Sequence, residues 1–302
     1  MWISIKTLLS VYDKEMILYN LFPAIRIHVW GGLGSQLYAV ALSIDIKLKF
    51  PSRRIRFITH SGGVTRRTLE PSLFHGNVKF RDDYTNNYKE SSRVTNQTRG
   101  AKSIIKNILF KAGLFSDANN EKSIESMKPW VIIIRGHYSN RDLSHSTVLK
   151  LWRNVEKDFK SNQHEIQQDF LAVHYRLGDL QFLPNKSPIK QEKIQDVVAK
   201  TLKKNRIGNL YLYSDSIQIA TTRLKNLIPQ LSVIPRDLTP LETVYECVQS
   251  SIFIGTNSKL SVWIILFKIA KDSKGQCFLP TEIKHLLKSN STLLSGKKII
   301  LF

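Results

Sequence analysis

Cysteine, acidic residues and long apolar runs are all scarce in this 302-residue chain. Cys247 and Cys277 stand alone without a Cys-x-x-Cys pair, which excludes a disulfide framework and a zinc ribbon and fits a reducing compartment. No run reaches the ~20 apolar residues that span a bilayer. The first residues also lack the basic region of a secretory signal. We therefore expect a globular protein that works in the cytoplasm.

The shortage of acidic residues leaves a large positive charge. There are 45 Lys and Arg residues against 24 Asp and Glu, which gives a net charge of +21. Such an excess favours polyanionic partners, namely nucleic acid, an anionic membrane surface or phosphorylated substrates. The basic residues are scattered rather than gathered in a stripe with aromatics, so we expect no nucleic-acid partner. A phosphate-bearing ligand and an anionic membrane surface are the expected partners.

The first recognisable unit is a strand, a glycine turn and a helix. Residues 25–30 alternate like a strand, and helical spacing follows the turn, with Ser35 as the predicted N-cap. Gly32 and Gly34 would present backbone N–H groups to an anion at the helix start, or they would only make the turn sharp. Leu37 stands where a dinucleotide fingerprint needs a third small residue, so that fingerprint is incomplete.

A change in composition divides the rest of the chain. Residues 81–128 are polar and predict an insertion with one helix. A buried strand at 130–134 and a polar helix at 144–168 follow. We place the domain boundary near this helix, which gives domains of 1–165 and 166–302.

The second domain opens on the segment 170–180, an apolar strand that ends in polar residues. Side chains alternate along a strand, so His174 and Arg176 face the same side. Gly178 then permits a turn that brings Asp179 into a loop. An arginine at the carboxyl end of a strand can donate two parallel hydrogen bonds to a phosphate. The alternative is a structural ion pair between Arg176 and Asp179.

Further strands and helices alternate after this segment, which predicts a parallel sheet. Asp215 follows a strand at 210–213 and could accept from a ribose hydroxyl or a base N–H, or cap the next helix. Ser258 follows a strand at 252–255 and opens an apolar helix, a second possible anion site. The other predicted elements are strands at 55–60 and 231–234, and helices at 188–204 and 240–249.

Five short segments carry a family resemblance when they are taken together. They are Gly31-Gly32-Leu33-Gly34-Ser35-Gln36-Leu37, Gly136-His137-Tyr138-Ser139, His174-Tyr175-Arg176-Leu177-Gly178-Asp179, Ser214-Asp215 and Asn257-Ser258-Lys259-Leu260-Ser261-Val262-Trp263. In order and content they resemble the motifs of the bacterial-type α-1,2-fucosyltransferases and of the wider fucosyltransferase superfamily. The resemblance covers about residues 25 to 268.

The resemblance implies an α/β fold of the GT-B-like glycosyltransferase kind, with two facing Rossmann-like halves. It implies an inverting, metal-independent transfer from GDP-fucose to a glycan or lipid-linked oligosaccharide acceptor, without a cofactor. The acceptor side would be the first domain and the donor side the second. Arg176 would hold the donor's β-phosphate and act in catalysis, and His28 and His137 are candidate bases. The implied donor-binding residues are His174, Arg176, Asp179, Asp215, Asn257, Ser258 and Ser261, with Gly32 and Gly34.

Three departures from the family pattern keep the donor open. Ser35 replaces an asparagine, Leu177 a second arginine and Leu180 a tyrosine, so UDP-galactose or another nucleotide sugar is the alternative donor. An oxidoreductase is disfavoured by the incomplete glycine fingerprint, and a basic nucleic-acid or membrane-binding module would explain the charge but not the polar strand ends. We expect an enzyme peripheral to the inner face of the cytoplasmic membrane, in polysaccharide or O-antigen synthesis.

Overall fold

The chain forms two compact units, Met1–Arg141 and Asp142–Phe302, in a computed structural model. The structure describes residues 22–60, 69–75, 77–81, 104–105, 108–109, 111–117, 124–136, 138–160, 169–178, 188–205, 207, 209–225, 232–273, 275–295 and 299–302. Outside these residues lie residues 1–21, most of the predicted insertion, His137 and Asp179. Each unit is built on a parallel sheet, which confirms the predicted α/β class.

The first unit contains a parallel sheet of five strands. The strands are β1 (Ile25–Trp30), β2 (Ile55–His60), β3 (Val78–Arg81), β4 (Phe115–Asp117) and β5 (Ile133–Arg135). Their order is β3-β2-β1-β5-β4, so the direction of winding reverses between β1 and β5. Edge strand β4 lies in the stretch predicted as a polar insertion, and β5 begins three residues later than the predicted strand.

Helix α1 (Leu33–Lys49) follows β1 and buries most of its length in the first unit. Gly31 has a φ of +87°, a conformation that glycine adopts without the steric penalty of a side chain. Gly32 is the N-cap residue, and Ser35 donates its backbone N–H to the Gly32 carbonyl at 2.9 Å. The prediction of Ser35 as N-cap is therefore wrong, because the turn at Gly31 starts the helix one residue after Gly32.

The second unit contains a parallel sheet of six strands. They are β6 (Phe170–His174), β7 (Asn209–Tyr213), β8 (Val233–Arg236), β9 (Ile252–Gly255), β10 (Gln276–Leu279) and β11 (Ile299–Leu301). The order is β11-β10-β9-β6-β7-β8, so the winding reverses between β6 and β9. Both central strands, β6 and β9, are buried along their whole length. The sequence analysis missed β10 and β11.

Seven helices of the second unit lie in its described residues: α2 (His145–Lys160), α3 (Gln191–Lys204), α4 (Ile217–Lys225), α5 (Pro240–Gln249), α6 (Lys259–Ala270), α7 (Lys284–Lys288) and α8 (Ser291–Leu294). The predicted capping box at the start of α5 is confirmed: Thr239 Oγ1 accepts from the Glu242 N–H, and the Glu242 carboxylate accepts from the Thr239 N–H. None of the helices in the described parts of either unit is long and apolar enough to cross a membrane.

Helix α2 packs in the second unit, so the two units divide after Arg141 rather than after residue 165. The Trp152 ring lies 5.9 Å from the Tyr245 ring of α5 and 5.4 Å from the Phe267 ring of α6, measured between centroids. Aromatic contacts of this kind stabilise the packed helices by more than the apolar area that they bury. The polar composition of this stretch favoured a domain boundary there, but the buried face of α2 packs against α5 and α6 of the second unit.

Candidate functional site

Polar residues gather where strands β6 and β9 end, at the point where the winding of the second sheet reverses. In open α/β sheets, ligands bind in the crevice beyond the carboxyl ends of the strands at such a point. His174 ends β6, and Thr256 follows β9 directly. The carboxyl ends of neighbouring strands in the second sheet, together with the start of α6, therefore carry five of the predicted donor residues: His174, Arg176, Asp215, Ser258 and Ser261.

His174 is buried, and one nitrogen of its imidazole ring has a hydrogen-bond partner in the protein. Its Nδ1 lies 2.8 Å from Ser261 Oγ at the start of α6. Burial lowers the pKa of His174 from 6.5 to about 4; the positive charge of Arg176 acts in the same direction, and the Asp215 carboxylate opposes it. The ring is therefore neutral at pH 7.

Thr256 joins the two central strand ends through its buried hydroxyl. Its Oγ1 donates to the His174 carbonyl at 3.0 Å and accepts from the Arg176 N–H at 2.9 Å. Its backbone N–H donates to Ser261 Oγ at 3.2 Å. The two bonds of the hydroxyl fix the backbone that leads from His174 into Arg176. The sequence analysis did not select Thr256, although it is the first polar residue after a buried strand.

Asp215 holds the turn after β6 through one of its carboxylate oxygens. Its Oδ1 accepts the N–H of Leu177 at 2.9 Å and the N–H of Gly178 at 3.0 Å. A Cβ at Gly178 would lie 2.4 Å from Asp215 Oδ2, closer than real Cβ contacts. Gly178 is thus needed for the close approach of this carboxylate, and neither of the roles predicted for Asp215 describes the contact that it makes.

The two predicted serine hydroxyls at the start of α6 form hydrogen bonds within the protein. Ser258 is the N-cap residue of this 12-residue helix, and its Oγ accepts the Leu260 N–H at 3.1 Å. The Ser261 hydroxyl is completely buried against His174 and Thr256. The two hydroxyls were predicted as phosphate ligands, but the structure engages both in internal hydrogen bonds. Asn257 remains half-buried at the crevice.

Arg176 is the first charged residue after β6 and lies where the crevice opens. It is half-buried at the end of β6. Arg236 ends β8, which is separated from β6 by β7, and it is paired with Glu246. Its Nε donates to Glu246 Oε2 at 3.0 Å, and its Nη2 donates to Oε1. The buried Glu246 carboxylate also accepts from the Tyr213 hydroxyl at 3.0 Å, and burial and this contact raise the pKa of Tyr213. An arginine held in this way has its charge balanced inside the protein.

The first unit carries an aromatic cluster at the carboxyl ends of strands β1 and β2 of its own sheet. His28, predicted as a base, is buried, and its Nδ1 lies 2.8 Å from His60 Nε2. The Trp30 ring stacks on the His60 ring at 4.5 Å between centroids. Gly32 caps α1 and Gly34 lies in its first turn. The structure thus adds His60 and Trp30 to the predicted residues.

Comparison with solved structures finds glycosyltransferases at low sequence identity. NodZ α-1,6-fucosyltransferase, soaked with GDP-fucose, is 11% identical with a TM-score of 0.40, over 81% of this chain and 93% of that chain. POFUT1 in complex with GDP is 10% identical with a TM-score of 0.37, over 91% and 98%. A variant of Arabidopsis thaliana FUT1 in complex with GDP is 10% identical with a TM-score of 0.43, over 85% and 72%. A scan of protein-family models and a sequence search of curated proteins give no match. Likeness of this degree identifies no family.

A separate cavity lies at the opposite, amino ends of the second sheet. Asp169, Gln249, Ser250 and Lys271 are among the residues that line it. Lys271 Nζ donates to Gln249 Oε1 at 2.7 Å in this cavity. Ligands of open α/β sheets bind beyond the carboxyl ends of the strands and not at the amino ends. The carboxyl-end crevice is therefore the better candidate for a ligand site.

Replacing Asp215 by asparagine should preserve ligand binding, whereas Asp215→Ala should weaken it. The asparagine carbonyl oxygen can still accept the Leu177 and Gly178 N–H groups. Alanine leaves both donors without their acceptor, which costs about 1–3 kcal/mol. Thermal melts and GDP titrations of both variants test this. If the asparagine variant loses GDP affinity as fully as the alanine variant does, the negative charge of Asp215 itself contacts the ligand.

Proposed function

We propose that the chain is a glycosyltransferase that binds the nucleoside diphosphate of its sugar donor at the crevice between β6 and β9. The observation that carries this proposal is the clustering of Arg176, a neutral His174 and the start of α6 at the switch point of the second sheet. A strand-end arginine and a helix N-terminus both favour phosphate, and the crevice is where such sheets hold nucleotides. The resemblance of the five segments supports fucose as the sugar and the α-1,2 linkage.

Arg176 has the central chemical role in this proposal. When the bond between the anomeric carbon and the β-phosphate oxygen breaks, negative charge grows on the departing diphosphate. A guanidinium placed at that oxygen before the reaction stabilises the charge as it develops. Thr256 and Asp215 hold the backbone before and after this residue, so its side chain extends into the crevice from a fixed backbone.

GDP should bind more tightly than UDP, CMP or dTDP, by at least about 1.4 kcal/mol, which is a factor of ten. Nucleoside selection depends on polar contacts that a wrong base leaves unpaired. Calorimetric titration of the four nucleotides, followed by release of GDP from GDP-fucose, tests this. Preference for UDP would remove fucose and leave a hexosyltransferase such as a galactosyltransferase. No binding of any nucleotide would contradict the proposal as a whole.

Transfer should continue in excess EDTA. The chain has no Asp-x-Asp pair of the kind that many transferases use to hold a divalent cation against the diphosphate. In the proposed mechanism, Arg176 and the N–H groups at the start of α6 supply the positive potential. Activity is measured before and after chelation. Loss of activity that Mg²⁺ or Mn²⁺ restores would show that a metal ion shares this role.

The acceptor and the location follow from the charge and the resemblance. We propose a glycan or lipid-linked oligosaccharide as the acceptor and an anionic membrane surface as the place where the enzyme meets it. The net charge of +21 supports attraction to such a surface. An interaction of this type is screened, because the Debye length falls to about 3 Å at 1 M salt. His28 and His137 stay predicted candidates for the base.

A further inference from the structure

The hydrogen bonds around Ser261 determine which nitrogen of the His174 ring carries its proton. A hydroxyl has one proton to donate and two lone pairs to accept with. The Ser261 side chain is fully buried, and the Thr256 N–H already occupies one lone pair of Oγ at 3.2 Å. A buried donor needs an acceptor. Among the hydrogen bonds of the described residues, the acceptor left for the Ser261 proton is His174 Nδ1 at 2.8 Å.

The opposite arrangement leaves a buried group without a partner. If His174 Nδ1 carried the proton and donated to Ser261 Oγ, both lone pairs of the oxygen would be filled by Thr256 and His174. The Ser261 proton would then have no acceptor within the described contacts, at a cost of about 1–3 kcal/mol. The network is complete only when Nδ1 accepts.

We propose that Ser261 is a positioning residue that holds His174 as the neutral Nε2–H tautomer, so that the imidazole donates a hydrogen bond to an oxygen of the donor's nucleoside diphosphate. This inference rests on the function proposed above for its ligand, but the tautomer itself does not. Burial keeps the ring from taking a second proton, because the pKa of His174 is lowered to about 4. Thr256 contributes by fixing Ser261 Oγ from the other side.

In this arrangement, the two groups at the end of β6 contribute different interactions to the diphosphate. Arg176 supplies the charge, and His174 supplies a directed donor that adds no second charge beside it. A protonated His174 would repel the guanidinium of Arg176, which is one of the causes that lower its pKa. With Nδ1 accepting from Ser261, the ring can offer only an N–H at Nε2, and that group suits an oxygen acceptor.

The first test reads the tautomer without any ligand. Proton–nitrogen correlation spectra of the imidazole rings at pH 7 separate the two tautomers, and His174→Gln identifies the signals of this ring among the 8 histidines. We expect a proton on Nε2 and none on Nδ1. A proton on Nδ1, or a doubly protonated ring, would overturn the inference whether or not the protein binds GDP.

The second test links the tautomer to binding. In Ser261→Ala we expect a mixture of tautomers and GDP affinity about ten-fold weaker than in the wild type. Ser250→Ala is the matched control, because it removes another buried serine hydroxyl whose Oγ donates to the Cys247 carbonyl at 2.7 Å, at the far end of the sheet. The control should keep the His174 tautomer and the GDP affinity of the wild type.

The outcomes separate the two proposals. Wild-type GDP affinity in Ser261→Ala, with its ring still in the Nε2–H form, would show that Ser261 does not position His174. If Ser261→Ala fails to fold, the wild-type spectrum alone decides the tautomer. If the wild type shows the Nε2–H ring and yet binds no nucleotide, the function proposed above fails, and with it the ligand assigned to His174.

Discussion

Arg176→Ala is expected to abolish sugar transfer and to weaken GDP binding by about 10- to 150-fold. The loss of a charge-assisted hydrogen bond to phosphate costs about 1.5–3 kcal/mol in binding, and the loss is larger when the leaving diphosphate gains charge in the transition state. The fold should survive, because Thr256 binds the backbone N–H of this residue rather than its side chain. Calorimetry with GDP and a transfer assay with GDP-fucose measure the two effects.

Two further variants make this result specific. Arg153→Ala removes an exposed arginine of α2 and should leave both GDP affinity and transfer unchanged. Arg176→Lys keeps the charge but loses the planar pair of donors, so it should recover part of the GDP affinity and little of the transfer rate. A folded Arg176→Ala protein with unchanged GDP affinity would show that another group holds the diphosphate.

Gly255→Ala is expected to destabilise the second unit and to disturb the crevice at the same time. An added Cβ would lie 2.7 Å from both Leu279 Cδ2 and Ser261 Cβ, and 2.9 Å from Phe253 Cε1. Leu279, Phe253 and Ser261 are all fully buried, so these neighbours have little room to give way. Overpacking of this kind costs about 1–3 kcal/mol, which lowers the melting temperature by about 5 °C in a unit of this size.

The same substitution also tests the link between packing and binding. Because Ser261 must shift, GDP affinity should fall together with the melting temperature. A Leu279→Ala background removes one of the three close contacts, so the destabilisation by Gly255→Ala should be smaller there than in the wild type. An unchanged melting temperature in Gly255→Ala would mean that α6 sits less closely on β9 than the structure shows.

The elements with strong local signals were predictable from the sequence. Strand β1, strand β9 and the capping box before α5 appear where the pattern put them, because alternation, a short apolar run and a Thr-Pro-x-Glu start are local features. Strands β10 and β11 were missed because they are short and because their place in the sheet depends on pairing with the neighbouring strands. The end of the first unit was misplaced because the aromatic contacts of α2 are long-range.

The candidate site was predicted as a set of residues but not as a set of contacts. His174 and Arg176 could be found because polar residues directly after an apolar strand stand out. The true partners of Asp215 and Ser261 could not be found, since Leu177 and His174 are joined to them only by the pairing of β6 with β7 and β9. Thr256 was missed for the same reason: its hydroxyl acts across strands and leaves no periodic signal.

A crystal structure of the protein soaked with GDP tests the central claim most directly. The account predicts the diphosphate at the carboxyl end of β6, with its oxygens within about 3 Å of the Arg176 guanidinium and of backbone N–H groups at the start of α6. His174 Nε2 should lie at hydrogen-bond distance from an oxygen of the same ligand. GDP bound instead in the cavity beside Gln249 and Lys271, or no bound GDP at saturating concentration, would contradict it.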